Sequence, residues 1–206
     1  MTESSDGGGL RARRRDATRL DIHEAAVDLF ERNGFDETTV DEIAAAAGVS
    51  PRTFFRYFPT KEDCVLFDRF GFDQALDDHL ASIDPDAFTL ADIEGAYRTL
   101  LEGFGDRSDD VSAHFLRVQK LVLATPTLSR AALGRYADRS RRRPEALGDR
   151  GSVRTRGQIR MILEIANLEV QCAFEEWVEV NEAVTPEADR TLVAVYDDVC
   201  RRMREL

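Results

Sequence analysis

Cysteine is scarce and scattered. Cys64, Cys172 and Cys200 are widely spaced, no CxxC occurs, and the three histidines (His23, His79, His114) cluster with nothing. This spacing argues against a disulfide scaffold and a structural zinc site, and reduced thiols in a cytoplasm are the simplest reading. No run of 18 apolar residues is present, so no membrane span is expected. The opening MTESSDGGGLRARRR has no apolar stretch and is not expected to act as a signal peptide. Enzyme signatures are missing as well: no HExxH, no Gly-rich phosphate loop, no Ser/His/Asp order. Carboxylates such as Asp77, Asp78, Glu175 and Glu176 fall where a solvated face is expected. Neither an enzyme nor a cofactor nor a metal is therefore anticipated. Positive charge is in deficit too, with a formal net charge of -11 over 206 residues. That argues against non-specific coating of DNA or of an anionic membrane. It leaves open a localised basic face, because distribution decides the field where docking occurs.

The basic residues are localised. Arg11, Arg13, Arg14, Arg15 and Arg19 precede or open the first helical pattern. Alone, such a run is as readily a solvated tail as an arm that tracks phosphates. The residues between Thr39 and Lys61 favour the arm. Thr39 and Glu42 have the spacing of a capping box, and Ile43, Ala44 and Ala47 form an apolar stripe. Gly48 stops that helix, since glycine accepts a left-handed backbone cheaply. Ser50 and Pro51 then have the chemistry of a cap and first position of a new helix. Phe54 and Phe58 anchor it inward, leaving Arg52, Thr53 and Arg56 facing out. A helix-turn-helix sets such residues against base edges in the major groove. Helix–Gly–helix turns also occur in all-α proteins that never meet DNA, so the turn alone does not settle the matter.

Gly34-Phe35, TTVDEIAAAAGVS at 38–50 and TFFRYFPTKEDC at 53–64 together resemble the N-terminal domain of TetR-family transcriptional regulators. The resemblance covers roughly residues 16–66. It departs at two positions, where the family often has Tyr in place of Phe55 and His in place of Tyr57. A phosphate-contacting hydroxyl is then expected from Tyr57. Beyond residue 66 the resemblance is one of architecture only.

The rest of the chain reads as helices, and the fold class as all-α, with about nine helices. Residues 1–12 are expected to be a disordered basic arm, 13–59 the helix-turn-helix domain, and 60–206 a ligand-binding and dimerisation domain. The first helix is expected over 16–33 and a long fourth one over 60–83, weakened at Gly71 by about 1 kcal/mol relative to Ala. Further helices are expected at 89–104, 109–124 and 127–142, capped at Thr89 and Ser108, with Pro126 restarting the chain. A polar loop follows at 143–152. Two long helices close the chain, about 153–181 and 186–205, the second opening at Thr185-Pro186-Glu187. Both carry apolar residues on more than one side. Either they are central helices, or they are also buried against a second copy, pairing into a four-helix bundle. The family resemblance implies the second arrangement. Arginines from Arg139 to Arg143, then Arg150, Arg154, Arg156 and Arg160, read chiefly as a solvated helix end and secondarily as an anion site for an effector such as a coenzyme A ester.

These readings converge on a ligand-responsive homodimeric transcription regulator, cytoplasmic, a repressor before an activator, with palindromic double-stranded DNA as partner. An adaptor that binds only protein is the weaker rival, disfavoured by the outward arginines. Arg52 and Arg56 are candidates to pair with guanine, and Thr53 with a base edge or thymine methyl, next to the capping Ser50. Arg13, Arg14, Arg15, Thr39, Tyr57 and Lys61 are candidates for phosphate contacts. An apolar effector pocket is expected from Phe67, Phe70, Phe104, Phe115, Phe174 and Trp177, with His114, Gln119, Asn167 and Gln171 as polar contacts. Each of those aromatics taken singly reads better as core.

Overall fold

The computed structural model describes residues 6–102, 110–148, 153–182 and 190–206. Every regular element among them is a helix: α1 Asp6–Asn33, α2 Val40–Ala46, α3 Pro51–Tyr57, α4 Lys61–Val65, α5 Phe72–Ser82, α6 Leu90–Glu102, α7 Asp110–Ala124, α8 Pro126–Gly148, α9 Arg156–Glu182 and α10 Leu192–Met203. The fold is all-α. The chain divides into two compact units, Met1–Arg69 and Phe70–Leu206.

In the first unit, α1 buries Ile22, Ala26, Val27 and Phe30 at helical spacing. It ends at Gly34, whose φ of 85° is a left-handed value. Ile43 and Ala44 of α2 and Phe54 of α3 are fully buried. The unstructured arm expected over 1–12 needs revision, because helical backbone extends from Asp6 into Asn33 and the first helix does not wait for Asp16. Met1 to Ser5 lie outside the described residues.

The expected single helix over 60–83 is two helices. Thr60 caps α4, its hydroxyl accepting from the Asp63 N–H at 3.1 Å. The helix stops after Val65, and Gly71, at φ 70°, sets up α5 as its N-cap. The intervening side chains explain the stop. Phe67 leaves the helical path for the rings of Phe58 and His23, at 5.9 and 5.8 Å between centroids, with the Arg19 guanidinium 4.2 Å above it. Arg69 pairs with Glu24 of α1.

In the second unit α9 is the central helix. One side of it (Val170, Ala173, Trp177) joins Leu101, Phe115 and the α10 residues Leu192, Val195, Tyr196 and Val199. Another (Ile159, Ala166) joins Leu76, Leu80, Phe88, Ile93 and Leu147. Two sides of its broad apolar surface are thus buried inside one chain, while Met161 and Leu168 stay exposed. The expected loop from 143 is not observed as far as Gly148: α8 continues through Pro144, which lacks one helical N–H. Arg139 and Arg143 hold this stretch to α5 through Asp73 and Asp77, with N–O distances of 2.7, 3.2 and 2.7 Å. The last helix opens at Thr191, whose hydroxyl accepts from the Ala194 N–H at 3.3 Å, and residues 190 and 191 are not helical. The expected start at Thr185-Pro186-Glu187 and the cap at Ser108 lie outside the described residues.

Three acidic or thiol groups are buried where α6, α9 and α10 meet: Glu94, Glu169 and Cys200. Burial, then the neighbouring charge of Glu94, pushes the Glu169 carboxyl up to about 7.

Candidate nucleic-acid interface

The turn between α2 and α3 is built by side chains close in sequence. Thr39 and Glu42 form a complete capping box: the Thr39 N–H and hydroxyl donate to one Glu42 oxygen at 2.8 Å each, and the Glu42 N–H returns to the Thr39 hydroxyl at 3.2 Å. Those two donors hold the Glu42 carboxyl below its ordinary range. Gly48, at φ 67°, reverses the chain, and the Val49 N–H closes on the Ala44 carbonyl at 2.9 Å. Ser50 Oγ accepts the Thr53 N–H at 3.1 Å and lies 3.0 Å from Thr53 Oγ1. Thr39 and Ser50 are therefore positioning residues for their helices, and the Thr53 hydroxyl is tied to the cap.

Phe54 is the inward anchor of α3, fully buried against Phe58, with 6.0 Å between ring centroids. Fixing that one side chain fixes what points out. Arg52, Phe55 and Arg56 are exposed, at positions i, i+3 and i+4, and so share a face. Phe55 is 55% exposed. It was absent from the sequence-based candidates, although its spacing from Arg52 pointed to the same face. Tyr57 is half-buried, and the Arg56 guanidinium lies 5.1 Å from its ring centre. Arg13, Arg14 and Arg15 are exposed on α1.

Lys61 is engaged within the fold. Its ammonium donates to the carbonyls of Phe35 at 2.7 Å, Thr38 at 3.2 Å and Asp36 at 3.5 Å, and sits 4.2 Å from the Phe35 ring centre. This directs the charge into the loop between α1 and α2, so Lys61 positions that loop where a phosphate contact had been expected. Lys61→Ala should cost about 1.5–3 kcal/mol of stability, as for hydrogen bonds from a charged donor. The salt dependence of DNA binding should not change. Urea unfolding and a salt titration of affinity separate the two roles; a flattened salt slope with unchanged stability would restore the phosphate role.

The expected effector residues fall in both units. Phe67 belongs to the first unit, under Arg19, and Phe104 lies outside the described residues. Phe70, Phe115, Phe174 and Trp177 pack on one another, Phe115 lying 6.1, 5.2 and 6.1 Å from the other three. His114 is buried, and Gln119 and Gln171 are half-buried. Asn167 borders a cavity of only about 20 Å³ with Tyr97, Tyr136 and Arg143. A larger cleft of about 320 Å³ opens between α5 and α8, floored by Leu80, Ala81, Ala146 and Leu147 and edged by Arg139, Arg142 and Arg143.

The family described as bacterial regulatory proteins, tetR family, matches residues 22–66. Over 138 residues the chain is 35% identical to the HTH-type transcriptional regulator TcmR of Streptomyces glaucescens, covering 66% of this chain and 59% of that protein. It thus spans less than two thirds of that relative's length. Over 54 residues it is 43% identical to the HTH-type transcriptional regulator RutR of Escherichia coli, 26% of each chain. Among solved structures, Thermus thermophilus FadR, a TetR-family transcriptional repressor in complex with lauroyl-CoA, is 27% identical. That match covers 91% of this chain and 93% of the other at a TM-score of 0.49. None of the described helices is long and apolar enough to cross a membrane. Residues 22–66 thus belong to the tetR family of bacterial regulatory proteins.

Proposed function

We propose that this protein is a homodimeric transcriptional repressor that binds a palindromic operator through α3 and leaves it when a small, mainly apolar effector binds within residues 70–206. The observation that carries the reading is the shared outward face of Arg52, Phe55 and Arg56 on a short helix pinned by a fully buried Phe54. Arg52 and Arg56 offer forked donors for guanine O6 and N7, and the Phe55 ring suits a thymine methyl. The Tyr57 hydroxyl and the Arg13–Arg15 run supply phosphate contacts that set register without reading sequence. An overall charge of -11 confines DNA affinity to that face.

Dimerisation through α9 and α10 is supported by Met161 and Leu168, 60% and 47% exposed and seven residues apart on one stripe of α9. The α5–α8 cleft supports the effector reading. Its volume is at the lower end of small-molecule sites, its floor is apolar, and its rim is cationic. Arg139 and Arg143 are already paired with carboxylates, whereas Arg142 is exposed. An apolar tail with an acidic head fits that arrangement. Coupling follows if the effector favours a state of lower DNA affinity.

Fluorescence anisotropy with duplex DNA from the chain's own promoter region is the test. A footprint over a near-palindrome is expected. Arg52→Ala or Arg56→Ala should each weaken binding by about 1–3 kcal/mol, roughly five- to 150-fold, and relax preference at one position per half-site. Medium-chain fatty acids should release the DNA where sugars and nucleotides do not. Unchanged affinity in Arg52→Ala, with no protected palindrome, would refute the DNA reading. Release by strongly polar ligands alone would refute only the effector class.

A further inference from the structure

We infer that Glu94, Glu169 and Cys200 form a site for one thiophilic divalent metal ion of the zinc class, held among α6, α9 and α10. Spacing in the sequence argues against a metal, because these residues lie far apart on three helices. The fold brings one ligand atom from each within 4.8 Å of the others. All three are buried, at 7%, 1% and 4% exposure.

The hydrogen bonding points to what the cluster holds. The oxygens of Glu169 and Glu94 Oε1 meet no hydrogen-bond donor from outside the cluster; Glu169 faces only Glu94 and the Cys200 thiol. A carboxylate taken out of water without a partner is costly, and buried charges in proteins are paired or coordinate metals. Glu94 is paired on one side only: Arg204 takes its Oε2, which leaves Oε1 free for the ion. The charges also balance. Two carboxylates and a thiolate are neutralised by one divalent cation together with the Arg204 guanidinium.

The donor set selects the ion. A thiolate disfavours magnesium and calcium, while two carboxylates disfavour copper(I); one sulfur with two or three oxygens suits zinc. Tetrahedral zinc brings its donors to roughly 3.3–3.8 Å from one another. The observed spread therefore needs side-chain adjustments of about an ångström or less. Three protein side chains leave a fourth position for the second Glu169 oxygen or a water. A cleft of about 610 Å³, with Glu94, Tyr196, Cys200 and Arg204 among its walls, gives the ion a way in. On binding, the Cys200 thiol proton, with any carboxyl proton, passes to solvent as the metal–sulfur bond forms.

Purified full-length chain, reduced and freed of metal by chelation, is titrated with zinc chloride against a chromophoric chelator and separately with cobalt(II). One equivalent of zinc per chain is expected, and cobalt should show the thiolate-to-metal charge-transfer band. Cys200→Ser should abolish that band, and Glu169→Gln should weaken zinc binding at least roughly tenfold. Cys172→Ser should change neither. The cobalt spectrum is read on the unaltered chain and on Cys172→Ser, so misfolding of a ligand variant does not hide the result. Absence of stoichiometric zinc binding, a cobalt spectrum without the thiolate band, or a band lost in Cys172→Ser would each overturn the assignment.

Discussion

Trp177→Ala is expected to destabilise residues 70–206 by about 3–5 kcal/mol, the range for truncating a buried large aromatic. Trp177 is 2% exposed and lies where α7, α9 and α10 meet, against Phe115. Its indole N–H donates to the Arg190 carbonyl at 3.1 Å, and Asn181 donates to the Trp177 carbonyl at 2.7 Å. Removing the ring opens a cavity and also strands a carbonyl beside the start of α10. Trp177→Phe keeps most of the ring and loses the hydrogen bond, so about 1 kcal/mol of the loss should remain as the polar share. This is the only tryptophan, so unfolding is followed by far-ultraviolet circular dichroism in urea. A loss under about 1 kcal/mol for the alanine variant would show that this core is not organised around Trp177.

Phe54→Ala should have a comparable effect in the first unit, about 3–5 kcal/mol, and should abolish specific DNA binding with it. Phe54 has no exposed surface and holds α3 through Phe58 and the turn. Without it the seven residues of α3 have no other fully buried anchor, and a helix that short does not persist alone. Arg52→Ala should behave differently, with reduced affinity and an unchanged melting curve, because Arg52 is exposed and distant from the anchor in role. Thermal melts run beside the anisotropy titration separate the two variants. A Phe54→Ala protein that melts normally and still binds would contradict the account of how α3 is seated.

What was legible in the sequence was local chemistry. Thr39 with Glu42, Gly48, and Ser50 with Pro51 act on neighbours within five residues, so spacing alone located α2, the turn and α3. The break after Val65 was not legible in the same way. Gly71 marked a weak point, but the helix ends because Phe67 docks on Phe58, His23 and Arg19, whose nearness is set by the fold. The polar run from 143 suggested a loop, and the helix persists as far as Gly148 with Arg139 and Arg143 meeting carboxylates on α5. Lys61 was read as a candidate phosphate contact, and the carbonyls its ammonium meets lie more than 20 residues earlier. Phe70, Phe174 and Trp177, expected to line a pocket, pack on Phe115, since periodicity shows which face is apolar and not what fills the space beside it. Glu94, Glu169 and Cys200 carried no sequence signal, because no two of them are close along the chain.

The three carbonyl acceptors of the Lys61 ammonium lie in the loop that leads into α2, so one side chain on α4 closes the head of the molecule like a drawstring. Together with the two caps, it leaves the first unit little conformational freedom to surrender on meeting a duplex. The ordering entropy is spent during folding and not at the encounter. Recognition by such a head is a collision between a finished surface and a groove, and its speed is governed by diffusion and the field of the arginines.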